Sequence, residues 1–218
     1  MRRGFGASLP PVPRLRISYN APVVLTFALL AVGVFLLGET VAPELVRRYF
    51  VAKPHLNDSG DYIGLVGHIL GHKDWNHLLS NFMLILLLGP LLEERFGSAK
   101  LLGMIIVTAL VTGVINIAIA DTGLLGASGI VFMMILLAST ANIRQGEIPL
   151  TFLAVSIIYL GGEIVRALDK EDQISQMAHL IGGVVGAVFG FLAAKGPVAK
   201  QLPTASAIKE LGTARPKR

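Results

Sequence analysis

The sequence predicts an all-α polytopic membrane protein, a six-helix bundle with a long, partly membrane-embedded first loop. Of its 218 residues, 53% are hydrophobic and 15% charged, whereas soluble domains carry roughly 25% charge and 45–50% apolar residues. The apolar residues form six runs, at about 22–38, 75–92, 99–120, 123–141, 148–168 and 174–195. Runs of about 20 residues cross roughly 30 Å of hydrocarbon at 1.5 Å per residue. Lys and Arg are distributed unevenly between the segments that join these runs, as they are in membrane proteins.

Residues 1–20 form a basic, proline-rich arm with Arg2, Arg3, Arg14 and Arg16, and they read as disordered. The run after it follows a basic region, as a cleaved signal core does, but it is long and late enough to be read as a spanning helix. Residues 39–74 read as a mixed loop with turn signals at Pro54 and Asn57-Asp58-Ser59-Gly60. Its apolar interior, Tyr62 to Leu70, is too short to span and reads as interfacial or half-inserted. Short polar breaks divide the remaining runs. The chain divides into the arm (1–20), a membrane domain (21–195) and a polar, basic tail (196–218).

Six spans place both termini on one side. With the N-terminus in the cytoplasm, the inner segments hold 13 Lys and Arg: four in the arm, Arg95, Lys100, Arg144 and six from Lys195 onward. The outer segments hold six. This follows the positive-inside rule, so the expectation is a multi-pass protein of the plasma (inner) membrane with both termini cytoplasmic. Cysteine is absent, which excludes disulfides, thiolate nucleophiles and Cys-ligated zinc.

In this topology spans two, four and six all run inward from the outer face. His77 and Asn81 fall in the first two turns of span two, Ser128 in those of span four, and His179 in those of span six. Three parallel helices thus bring a hydroxyl, an imidazole and a His/Asn pair to one depth. Polar side chains inside a membrane are costly and face the bundle interior or a water-filled cavity. His77 and Asn81, at i and i+4, share a face. Gly182, Gly186 and Gly190 form a small-residue row below His179 that lets two backbones approach closely. Gly126 and Gly129 offer a matching small surface on span four.

A serine is a weak nucleophile unless a base stands beside it, and histidine titrates near working pH. Acyl transfer also needs donors aimed at a developing oxyanion. Ser128 as nucleophile and His179 as base meet the first need. The Ser128 amide, the Asn81 carboxamide and the His77 imidazole are candidates for the second. Gly126-Ala127-Ser128-Gly129 is not the Gly-x-Ser-x-Gly elbow of α/β-hydrolases, because position 130 is isoleucine.

Over about residues 22–195 the chain resembles the rhomboid intramembrane serine proteases. The resemblance rests on His72-Lys73-Asp74-Trp75-Asn76-His77-Leu78-Leu79-Ser80-Asn81, Glu93-Glu94-Arg95-Phe96-Gly97, Gly126-Ala127-Ser128-Gly129, and Ala178-His179-Leu180-Ile181-Gly182 with Gly186. It implies a rhomboid-like six-helix bundle whose long first loop lies partly in the outer leaflet. It also implies a Ser128–His179 dyad, with His77, Asn81 and the Ser128 amide as oxyanion stabilisers. Phe132 matches an aromatic position that packs on the catalytic imidazole, where Tyr is common. The Trp-Arg pair that many members carry in the first loop has Arg47-Arg48-Tyr49-Phe50 as its nearest counterpart here. The implied partners are a transmembrane protein substrate and the lipid bilayer.

No cofactor is expected. A metal site from His68, His72, His77 and Asp74 is disfavoured, because histidines beside a membrane surface are more often interfacial. Nucleic-acid binding is disfavoured because the positive charge is split between two ends with no aromatic platform. Glu163 and Arg166 read as an interfacial pair in span five that could also gate substrate entry, Asn116 as helix glue, and Asp121 as a solvated loop residue. Two further classes remain: a catalytically silent rhomboid-like protein that binds membrane clients, and a small transporter whose Ser, His and Asn line a path. Neither the substrate nor the oligomeric state is written in the sequence.

Overall fold

The computed structural model describes residues 18–140 and 173–194, with isolated positions between 150 and 161. Seven α-helices are described at length: α1 (Pro22–Thr40), α2 (Pro43–Tyr49), α3 (Ser59–Gly67), α4 (Trp75–Phe96), α5 (Ser98–Ile119), α6 (Ser128–Thr140) and α7 (Gln173–Ala194). A 3-10 turn, His68–Leu70, follows α3. Helices α1, α4 and α5 are long and apolar enough to cross a membrane. Five of the six predicted runs therefore contain helices. The fifth run is described only at isolated helical positions between 150 and 161, and its Glu163–Arg166 pair, the basic arm through residue 17 and the tail lie outside the described residues, so the count of six spans rests on sequence.

Each helix starts where local chemistry lets it. Pro22 opens α1, where a missing N–H costs nothing. The free amides of Val23 and Val24 donate to the Glu93 carboxylate at 3.0 and 3.1 Å. Glu93 also accepts from the Ser98 hydroxyl at 2.7 Å. One buried acid therefore caps α1 and ties it to the α4–α5 turn. That turn needs only Gly97, whose φ of +83° is costly for other residues. At the opposite end, Asp74 caps α4 by accepting from the His77 amide at 2.8 Å.

Helix α6 is the core of the bundle. Residues Gly129 to Leu137 and Thr140 are buried all round it, as expected of a central membrane helix. It packs on α4, α5 and, most extensively, α7. The predicted glycine row explains the last contact. A Cβ at Gly182 would overlap the Gly129 carbonyl, one at Gly186 the Met133 carbonyl, and one at Gly190 the Thr140 side chain. These positions let α7 lie directly on the α6 backbone.

Three expectations need correction. Residues 39–74 are not an irregular loop: they carry α2, α3 and the 3-10 turn. Asp58 and Asp61 form a capping box at the start of α3. Lys53 reaches the buried Asp61 at 2.6 Å, and the Asn57 and Asp58 amides donate to it.

The second correction concerns the fourth apolar run, in which the helix begins at Ser128 rather than near 123. Leu124 instead pairs with Ala52 through two 2.9 Å backbone bonds. The residues that precede α6 are thus non-helical although the apolar run continues through them. Non-helical backbone is tolerated at membrane depth only when protein satisfies it. The segment before Ser128 meets that condition, since Leu124, Gly126 and Ala127 are buried and bonded to the first loop.

The third correction is Asn116, which among the described residues bonds to loops rather than to a second helix. Its amide donates to the carbonyls of Ala52 and Thr122 at 3.1 and 3.2 Å, clamping the end of α5 to those loops. Asp121 is exposed, as expected of a loop residue.

Candidate active site

Ser128 is the first residue of α6 and is half-buried. Its hydroxyl therefore sits at a helix N-terminus, where the first-turn amides have no intrahelical acceptor and the macrodipole favours negative charge. The chain reaches this point through Gly126, whose φ is +121°. Glycine is needed there twice over, because a Cβ would also stand 2.5 and 2.7 Å from Cε1 and Nε2 of His77. Gly126 thus seats His77, rather than forming part of the α6–α7 seam as its small size suggested. Gly129 does belong to that seam, against Gly182.

His179 is half-buried on α7, one residue after the buried Ala178. Its imidazole lies flat on the Phe132 ring, with centroids 4.5 Å apart and planes 10° from parallel. Phe132 stands four residues after Ser128, so the two share a face of α6. The stack holds the imidazole beside that face. Phe132 is itself 7% exposed, so the platform under His179 is part of the buried interior.

His77 and Asn81 occupy successive turns of α4, and Asn81 is buried. The Asn81 Nδ2 is shielded from solvent and makes no hydrogen bond among the described residues. An unsatisfied buried donor is expensive, and such groups in native structures call for an explanation.

The structure brings together more than the sequence indicated. His68 and His72 are both buried within the protein. The His68 carbonyl accepts from the Gly126 amide at 2.9 Å. The His68 ring contacts the carbonyls of Gly64 and Leu65 through Nδ1, and the Thr112 hydroxyl through Nε2 at 3.3 Å. His72 accepts from the Ala127 amide at 3.4 Å and packs edge-on against His77 with centroids 5.0 Å apart. Burial holds the imidazoles of His68 and His72 down to about 4, so both are neutral near pH 7. The signal for their role was the crowding of three histidines between positions 68 and 77. Among the described residues, no group of three or more His, Asp or Glu is arranged to hold a metal ion.

Three helices long and apolar enough to cross a membrane, packed with a buried apolar α6, define a helical membrane protein. The Rhomboid domain family model matches residues 59–196, and the chain belongs to the rhomboid family. It is accordingly an integral membrane protein. Among its relatives is the rhomboid protease GlpG of Haemophilus influenzae, 25% identical over 133 residues, which cover 60% of this chain and 69% of that one. The rhomboid protease GlpG of Yersinia enterocolitica is 26% identical over 181 residues, covering 80% of this chain and 63% of its own.

Proposed function

We propose that this protein is an intramembrane serine endopeptidase that cleaves transmembrane substrates near the outer membrane face through a Ser128–His179 dyad. Its relatives are named as proteases. The observation that carries the reading to particular residues is the Phe132–His179 stack, which holds an imidazole against the face of α6 that Ser128 begins.

The chemistry follows from these residues. His179 takes the Ser128 proton as Oγ attacks the scissile carbonyl. The carbonyl oxygen becomes an oxyanion, which the Ser128 amide, the Asn81 Nδ2 and the His77 imidazole stabilise. His179 then protonates the departing amine as the C–N bond breaks, leaving an acyl-Ser128 ester. Water, deprotonated by His179, cleaves that ester and restores the serine.

A serine-reactive fluorophosphonate tests the assignment. It labels the wild type and fails to label Ser128→Ala or His179→Ala. Equal labelling of wild type and Ser128→Ala sinks the protease reading, and a protein that binds membrane clients without any labelling is the silent alternative. The orientation belongs to the same proposal: both termini in the cytoplasm of a cell whose inner membrane holds the bundle. Because the chain has no cysteine, single cysteines introduced into the tail and beside Asn57 report the sidedness. Protection of the tail and labelling of position 57 from outside are expected, and the reverse pattern overturns the topology.

A further inference from the structure

We infer that His72 is a positioning residue for the turn that delivers Ser128, acting as a neutral imidazole with its proton on Nδ1. The inference rests on the reading of Ser128 as nucleophile, but its geometry is independent of that reading. His72 Nδ1 lies 3.2 Å from the Leu70 carbonyl. A carbonyl only accepts, so Nδ1 must carry the hydrogen. His72 Nε2 lies 3.4 Å from the Ala127 amide. A backbone N–H only donates, so Nε2 must carry a lone pair. Together these contacts select one of the three protonation forms of the ring.

Two neighbours make that selection matter. Ala127 immediately precedes Ser128, and its carbonyl accepts the first bond of α6, from Val131 at 3.0 Å. Holding its amide therefore fixes the residue that launches the helix. The His72 ring also supports His77, edge-on at 5.0 Å, while Phe82 backs it at 5.7 Å. His77 in turn lies against Gly126. One side chain thus braces both the nucleophile turn and a proposed oxyanion donor, without reaching substrate itself. Among the described residues, the titratable groups that act on its ring are His77 and Asp74.

The tautomer can be read directly. In the full chain labelled with 15N, in nanodiscs near neutral pH, His72 is identified among the five histidines by its loss in His72→Gln. A protonated Nδ1 and a bare Nε2 are expected. A proton on Nε2 overturns the inference. The second arm is functional. His72→Phe keeps an aromatic ring but removes the acceptor, and fluorophosphonate labelling of Ser128 falls by about tenfold or more, as small displacements of reacting groups do. His72→Gln places Oε1 where Nε2 stood and recovers most of the lost rate. A phenylalanine variant that labels as fast as wild type, or a folded glutamine variant no better than phenylalanine, overturns the positioning role. Should His72→Phe fail to fold, the ring-nitrogen measurement and the glutamine variant still decide. Failure of the dyad reading looks different: Ser128→Ala would label like wild type, while the His72 nitrogen shifts would be unaffected.

Discussion

The Phe132 ring and the His179 imidazole lie face to face, 4.5 Å between centroids. An aromatic pair of this kind contributes about 0.5–1.5 kcal/mol beyond the area it buries. If the stack sets the imidazole's orientation toward Ser128, Phe132→Leu slows fluorophosphonate labelling by about two- to tenfold, and Phe132→Tyr labels close to wild type. Labelling rates measured on folded protein in detergent check this. An unchanged rate in Phe132→Leu would mean that α7 alone orients His179.

The α6–α7 seam makes a ranked prediction. At Gly182 an added methyl meets the Gly129 carbonyl, which is backbone and cannot swing away. At Gly129 the nearest atoms are the Ala178 carbonyl and Thr112 Cγ2, both at 3.3 Å, so small adjustments suffice. Overpacking a close interface costs about 1–3 kcal/mol. Gly182→Ala is expected to lose about that much in reversible unfolding, and Gly129→Ala clearly less. The opposite order would show that the helices do not meet along this glycine row.

How much of this was legible in the sequence depends on what each residue answers to. The glycine row of α7 was legible because its period of four is a property of one helix, and its partner had only to be another helix. The ends of α1 and α5 were legible for similar local reasons. The start of α6 was not. Leu124 and Leu125 continue the apolar run without a break, and only the bridge from Leu124 to Ala52, 72 positions earlier, takes them out of the helix. Gly126 likewise looked like packing until His77 was seen lying where its Cβ would be. Helices α2 and α3 are 7 and 9 residues long, below the length at which periodicity separates a helix from a loop. Ser128, His179, His77 and Asn81 were singled out because polar groups are rare in apolar runs. His68 and His72 were weighed there only as metal ligands, because the groups they hold, Thr112, Gly126 and Ala127, lie far along the chain.

Glu93 gives a third test. Its carboxylate accepts from Val23, Val24 and Ser98 and is 4% exposed. Replacing it by alanine leaves the first amides of α1 without a cap, a loss of about 0.5–2 kcal/mol. Glu93→Gln keeps one carbonyl acceptor but turns the other arm into a donor facing donors, so it also destabilises. Both variants should unfold at lower temperature, with glutamine less affected than alanine. Labelling of the protein that remains folded should be near normal, since Glu93 lies at the other end of α4 from His77. A selective loss of labelling without loss of stability would contradict a purely structural role.

The first loop should have its own acid response. Lys53 and the amides of Asn57 and Asp58 hold the Asp61 carboxyl down to about 2, from an ordinary value of 3.8. A carboxyl that binds its proton less tightly in the fold than in the unfolded chain stabilises the fold while ionised. That contribution is complete above about pH 4, declines as the pH falls, and is gone below about pH 2. Hydrogen exchange of the 53–67 segment should therefore quicken as the pH is lowered through this window, after correction for intrinsic exchange. In Asp61→Asn the segment should exchange faster already near neutral pH and show no further acid step. Because Ala52, beside Lys53, pairs with Leu124, the same acid step should extend to residues 122–127 in the wild type. A wild-type segment with no step between about pH 4 and 2 would mean that the Lys53–Asp61 pair is not what fastens this loop.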